Sequence, residues 1–247
     1  ADLKNAGVIY DRAYSSFAEM ALQDMQWDDL LTNVSWLHLS AINPALNQEI
    51  ADICLELVKQ AHARGIYISL DLNYRAKLWQ YGANPVSVMT PIAAYCHLIM
   101  GNLWAAHTLL GIDLDAQVAI NQATKEEYIA QAQRTAQAIQ TKFPQCETVA
   151  NTFRFDTPSG GISYFATLHT TSEITISTQI QLENPLDKVG SGDCFMAGLI
   201  YGHLQAWENQ KIIDFAAQAA MGKLQQMGDA TTQTVEQILA HLTTQTQ

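Results

Sequence analysis

Positive charge is scarce in this sequence. Thirteen lysines and arginines stand against 24 aspartates and glutamates, for a formal net charge of −11. A chain this acidic has no basic field to offset phosphate repulsion, which argues against nucleic-acid binding and attachment to anionic membranes. It can still take a phosphorylated small molecule, provided the donors are local. Cysteine is also sparse. Cys54, Cys96, Cys146 and Cys194 are far apart, with no C-x-x-C pair and no zinc spacing. Mostly apolar neighbours suit reduced thiols acting as small hydrophobes. No apolar run approaches the ~20 residues of a membrane-spanning helix, and no basic-then-apolar leader opens the sequence. A cytoplasmic protein is the expectation. Internal repeats, low-complexity stretches and a Pro/Gly/Ser linker are lacking too. Length alone leaves one large α/β domain or two small ones open.

What is present is the patterning of a packed chain, 48% hydrophobic and 15% charged. Residues 7–13 alternate loosely, as a short strand does. Residues 34–40 (VSWLHLS) read as a buried strand, with His38 a satisfied core residue rather than a ligand. Over 47–64, Ile50, Ile53, Cys54, Leu57, Val58 and Ala61 recur at helical spacing, and Gly65 stops the helix. Residues 66–72 (IYISLDL) are the near-continuous apolar run of a parallel strand. A helix over 86–95, a strand over 97–100, a helix from Leu103, a helix over 125–142 and a strand over 147–151 continue the alternation. Residues 160–168 and 173–181 read as an antiparallel pair. Beyond Gly190 the pattern is helical over 193–204, 210–226 and 235–242. Strands alternating with helices imply right-handed crossovers and a mostly parallel sheet covered on both faces. Ligands of such sheets sit beyond the carboxyl ends of the strands.

The strongest local feature is Val189-Gly190-Ser191-Gly192-Asp193, followed at once by a helix. Two glycines at a helix start let the backbone approach a ligand and point free N–H groups outward. Those donors and the helix dipole favour a developing negative charge. A carboxylate in the same turn can take the proton of an attacking hydroxyl. Together they meet the needs of phosphoryl transfer to an alcohol. The plain alternative is that Asp193 caps the helix and the glycines make a tight turn.

The longer stretch Asp187-Lys188-Val189-Gly190-Ser191-Gly192-Asp193-Cys194-Phe195-Met196-Ala197-Gly198 resembles the C-terminal signature of the ribokinase-like (PfkB-type) carbohydrate kinases. That signature reads Asp-x-x-Gly-Ala-Gly-Asp-x-Phe-x-x-Gly, and Ser191 for Ala is the change in its glycine core. The resemblance implies a three-layer α/β/α fold with a mostly parallel central sheet and a late antiparallel hairpin. It implies that Asp193 is the catalytic base, that Gly190, Ser191 and Gly192 form the anion hole, and that Asp187 stands beside a monovalent cation such as K⁺. The adenine would lie against residues 216–228, including Ala220 and Gly228, and ATP with Mg²⁺ would be the donor. Where the family carries Asn-x-x-Glu, this chain has Asn102-Leu103-Trp104-Ala105. Asn102 is kept and the Glu is not, so Mg²⁺ would arrive with ATP and without a dedicated protein cage. Arg154, after the strand over 147–151, is placed near the nucleotide phosphates. The likeness runs from Val8 to about Leu242, and it implies that residues 1–247 are a kinase domain whose N-terminal strands are missing. Residues 1–15 would be a remnant of the lid and substrate-binding region, and a homodimer formed through the lid is implied as well.

Two upstream segments narrow the acceptor. Asp71-Leu72-Asn73-Tyr74-Arg75 follows a parallel strand and resembles the Asp-x-Asn-x-Arg segment of 2-keto-3-deoxygluconate kinases. An arginine there can hold carboxylate or phosphate oxygens in bidentate fashion. The alternative is a solvated loop in which Arg75 pairs with Asp71. Tyr10 and Arg12, at i and i+2 on one face of a strand, resemble the Tyr-x-Arg stretch that those kinases use on the substrate carboxylate. A plain exposed strand is the competing account. A sugar acid, 2-keto-3-deoxygluconate, is the expected small-molecule substrate, with fructose or ribose as alternatives.

Other classes fare worse. A dinucleotide fingerprint would need its third glycine where Phe195 stands, and earlier in the chain. No P-loop occurs. A non-catalytic sugar- or nucleotide-binding protein on the same fold stays open as the second reading.

Overall fold

A computed structural model describes residues 9–244. The chain folds as two compact units, Val8–Ala150 with His169–Ser172, and Asn151–Leu168 with the residues from Glu173 onward.

The first unit holds α1 (Trp27–Leu31), β1 (Trp36–Ser40), α2 (Gln48–Ala63), β2 (Tyr67–Asp71), α3 (Pro85–Ala93), β3 (Leu98–Met100), α4 (Leu103–Leu110), α5 (Ala116–Ala119), α6 (Lys125–Lys142) and the opening residues of β4 (Thr148–Asp156). Its strands lie in the order β1-β2-β3-β4 and are parallel, with Leu39 beside Leu70, Leu70 beside Ile99 and Ile99 beside Val149. The continuous apolar runs of β2 and β3 follow from that position, since a central parallel strand is covered on both faces. Ile50, Val58 and Ala61 of α2 have no exposure, so the helical spacing seen in the sequence is the face that packs on the sheet. Side chains cap α2 through α6. Asn47 accepts from Ile50 N at 2.8 Å, and Thr124 with Glu127 forms a capping box on α6. The Cys54 and Cys146 thiols are pushed up to about 12 by burial, and all four cysteines are free and buried.

Two expectations fail in this unit. Residues 7 and 8 of the expected first strand lie outside the described residues, and residues 9–12 form no strand. The backbone turns there instead. Ser15 Oγ donates to Arg12 O at 3.0 Å and accepts from Ala18 N at 3.2 Å, a local pairing that competes with strand formation. His38 is satisfied but does not belong to the core. It is exposed on β1, the last strand in the order, and its Nδ1 lies 2.9 Å from Ser69 Oγ.

The second unit holds the rest of β4, then β5 (Ile162–His169, all but its last residue), β6 (Ile174–Ile176), β7 (Ile180–Leu182), α7 (Ser191–Leu204), α8 (Asn209–Lys223) and α9 (Val235–Thr244). Strands β4 to β6 are antiparallel neighbours, and β7 pairs antiparallel with the start of β5. The expected partner strand over 173–181 is split in two. Ser177 N donates to Ala166 O at 2.9 Å while Ser177 Oγ accepts from Ala166 N, so a hydroxyl replaces a backbone carbonyl and the ladder breaks there. Helices α7 and α8 cross closely. A Cβ on Gly198 would stand 2.7 Å from Ala216 Cα, and one on Gly202 would stand 3.0 Å from Ile212 Cγ1.

Candidate active site

The glycine turn opens α7. Gly190 is its N-cap at φ +78°, a left-handed conformation that favours glycine, and Cys194 N makes the first helical bond to Gly190 O at 2.9 Å. The helix therefore starts at Ser191, two residues earlier than the pattern suggested. Asp193 is then its third residue and not its cap. Its carboxylate is exposed and accepts no hydrogen bond among the described residues. No side chain caps α7, unlike the five helices from α2 to α6. The N–H groups of Ser191, Gly192 and Asp193 are left for an external acceptor, as at the start of any uncapped helix. Ser191 is buried and its Oγ turns back to Lys188 O at 3.2 Å, so it offers a ligand its amide rather than its hydroxyl. Gly192 is exposed, and a Cβ there would meet nothing within 4 Å. The protein itself has no steric need for a glycine at that position. Uncapped amides at a helix start are donors that an anion can take.

A second turn clamps the first. Asp187 accepts from Val189 N through Oδ1 and from Gly228 N through Oδ2, both at 3.0 Å. Those bonds, Val189 first and Gly228 second, hold its carboxyl below the usual carboxylate range. Leu186 N and Asp187 N both donate to Leu224 O, at 2.7 and 3.3 Å. A side chain on Gly190 would collide with the Asp229 carbonyl. Asp187, expected beside a monovalent cation, thus serves first as a fastener between two turns, although each oxygen keeps a lone pair.

The other expected nucleotide contacts fall unevenly. Gly228 lies in the clamping turn at φ +91°, but its N–H is committed to Asp187, which removes it as a free donor. Ala220 has 1% exposure inside α8, so its methyl is a packing group and not a ligand contact. Arg154 does not follow its strand, because β4 runs on to Asp156. Strand alternation puts Arg154 and Asp156 on one face, and Asp156 meets Lys188 of the glycine turn at 2.8 Å. Arg154 is therefore on the strand face that reaches the turn.

The remaining candidates belong to the first unit. Arg75 is exposed, four residues past the end of β2, with Nη1 donating to Tyr74 O at 2.9 Å. Asn102 follows β3 and is the N-cap of α4, its Oδ1 accepting from Ala105 N at 2.8 Å. That bond takes one lone pair of the oxygen of a residue expected to bind the nucleotide. Both residues stand beyond the carboxyl ends of neighbouring parallel strands. Tyr10 is half-buried and Arg12 exposed, and without a strand the argument that placed them on one face lapses.

Sequence reasoning took residues 216–228 and the Gly228-Asp229 turn for an adenine contact and missed Leu224 and Asp229 as parts of the clamp. The Gly228-Asp229 turn was the available signal. No described helix is long and apolar enough to cross a membrane, and no cluster of three metal-ligating side chains occurs among the described residues.

An uncapped helix opened by a glycine turn here sets unpartnered amides beside the exposed carboxylate of Asp193. Residues 3–236 match the pfkB family of carbohydrate kinases, and the chain belongs to that family. Its fold is ribokinase-like, with a mostly parallel sheet, antiparallel strands β4 to β6 and helices on both sides. A 2-dehydro-3-deoxygluconokinase from Thermotoga maritima superposes with a TM-score of 0.85 at 29% identity, covering 96% of this chain and 69% of that one. A PfkB family carbohydrate kinase from Listeria grayi gives 0.81 at 26% identity, with 96% and 69% covered. Over 72 residues the chain is 36% identical to a 2-dehydro-3-deoxygalactonokinase of Haloferax volcanii, a stretch amounting to 29% of this chain and 22% of that enzyme.

Proposed function

We propose that the protein phosphorylates a hydroxyl of a sugar acid, 2-keto-3-deoxygluconate, with ATP as donor. The carrying observation is the α7 start, where no side chain caps the first amides, a Cβ on Gly192 would meet nothing within 4 Å, and Asp193 is exposed and unengaged. Asp193 takes the proton of the acceptor hydroxyl as the oxygen attacks the γ-phosphorus. The amides of Ser191, Gly192 and Asp193 receive the charge that develops on the transferring phosphoryl group. Mg²⁺ would come with the nucleotide and would supply charge neutralisation there, with no dedicated protein cage. Arg154 meets the nucleotide, and Arg75 meets the acceptor carboxylate in bidentate geometry. The sugar-acid specificity is supported by Arg75 at a strand's carboxyl end and by likeness to enzymes named for such substrates.

The test is ADP release by the chain with Mg-ATP over a panel of sugars and sugar acids. Turnover is expected with 2-keto-3-deoxygluconate. Asp193→Asn should lower it by roughly 10²–10⁴-fold, the range of a lost general base, while ATP binding stays. ATP binding without turnover on any acceptor would instead assign the site to nucleotide binding alone.

A further inference from the structure

Lys223 is a fully buried lysine, with no exposure, in the last turn of α8. Burying an ammonium costs several kcal/mol unless partners repay it. One partner is Gln226 O, which accepts from Nζ at 2.9 Å, and a second is the C-terminal end of the α8 dipole. Leu224, the next residue, receives the Leu186 and Asp187 amides. Gly228, five residues on, donates to Asp187, and Asp229 abuts Gly190. The Leu224, Gly228 and Asp229 contacts fix the glycine turn, and Lys223 Nζ holds the Gln226 carbonyl at the head of the segment that carries the last two. Lys223 also adds to the Val189 and Gly228 bonds that lower the Asp187 carboxyl on one side of that turn, and works against the burial that raises the Cys194 thiol on the other.

The turn carries carboxylates at Asp187 and Asp193 and is abutted by Asp229, in a protein of net charge −11, yet its proposed ligand is a polyanion. Lys188, the ammonium within the turn itself, is paired with Asp156. We propose that Lys223 is a positioning residue of the anion hole. Its buried ammonium holds Gln226 O, and so steadies the segment whose Gly228 and Asp229 meet the glycine turn, and it supplies the fixed counter-charge that lets nucleotide phosphates approach. This rests on the nucleotide reading of the site, and deepens it.

The test compares Mg-ATP affinity by calorimetry for the wild-type chain, Lys223→Met and Lys223→Ala, each with its melting temperature. Lys223→Met keeps the stem and loses the charge, and about tenfold weaker ATP binding is expected in a folded variant. Lys223→Ala should regain affinity with n-propylammonium, which restores the missing atoms and charge, and not with n-propanol. Wild-type affinity in folded Lys223→Met overturns the proposal, and so does equal rescue by propanol. If Lys223→Met does not fold, the two rescue arms on Lys223→Ala decide. A wild-type chain that binds ATP but turns over no acceptor sinks the kinase reading alone, because the affinity comparison still stands.

Discussion

At the scale of single residues, the two glycines of the turn answer to different demands. Gly190 is required by the protein. Its φ of +78° would cost an alanine about 1–2 kcal/mol, and the added methyl would strike the Asp229 carbonyl. Gly190→Ala should therefore lower the melting temperature as well as the activity. Gly192 has no such constraint, since a methyl there meets open space and helix propensity favours alanine by up to ~1 kcal/mol. Gly192→Ala should melt at or slightly above the wild-type temperature yet bind ATP more weakly, because the methyl stands where the anion approaches. Thermal melts paired with ATP titration check both, and a Gly192→Ala variant with unchanged affinity would remove that glycine from the anion hole.

At the scale of elements, α7 aims the site and α8 holds α7. The two helices approach so closely at Gly198 that a Cβ there would sit 2.7 Å from Ala216 Cα, a backbone atom that cannot swing aside. Gly198→Ala should destabilise by about 1–3 kcal/mol through overpacking. It should also slow turnover without touching any ligand, as the start of α7 shifts. A melting curve and kcat measured on the same preparation test this, and a stable variant with normal kcat contradicts it. These elements were legible to different degrees. Helix α6 and helix α2 were bounded almost to the residue, α6 by its amphipathic pattern and α2 by apolar residues at helical spacing and the Gly65 that follows it. The split between β6 and β7 was hidden, since it depends on Ser177 finding Ala166 across the sheet. The run of β4 beyond Asn151 was legible but not read, since the alternation of TFRFD is itself the pattern of a half-buried strand. The glycine turn itself could be read from local chemistry, and a twelve-residue resemblance carried the expectation that Asp193 is a base. What locks the turn could not be read so. Asp187 and Gly228 are 41 residues apart and meet through a side-chain-to-amide bond that no periodicity announces. Tyr10 and Arg12 show the opposite error, in which a loose alternation suggested a strand that Ser15 turns aside.

At the scale of the whole molecule, acid should weaken the fold well above the carboxylate range. Burial lowers the imidazoles of His97, His169 and His203, and brings His169 down to about 4. In the unfolded chain each returns to about 6.5. Between those values the unfolded state binds more protons than the folded one, so stability falls as pH falls. The contribution of His169 is complete above pH 6.5 and is lost progressively towards pH 4, reaching about 3 kcal/mol at one unit of pKa per 1.36 kcal/mol. The net charge of −11 works the other way, because protonation relieves self-repulsion as the pH drops. Exposed charges are screened over ~8 Å at physiological ionic strength, however, whereas a buried imidazole is not. The histidine effect should therefore win between pH 6.5 and 4.5. Melting midpoints taken at 0.15 M salt should fall steadily across that window, and His169→Gln should flatten the slope. A wild-type midpoint that holds level or rises from pH 6.5 to 4.5 would show that relief of repulsion dominates and that His169 is protonated without cost.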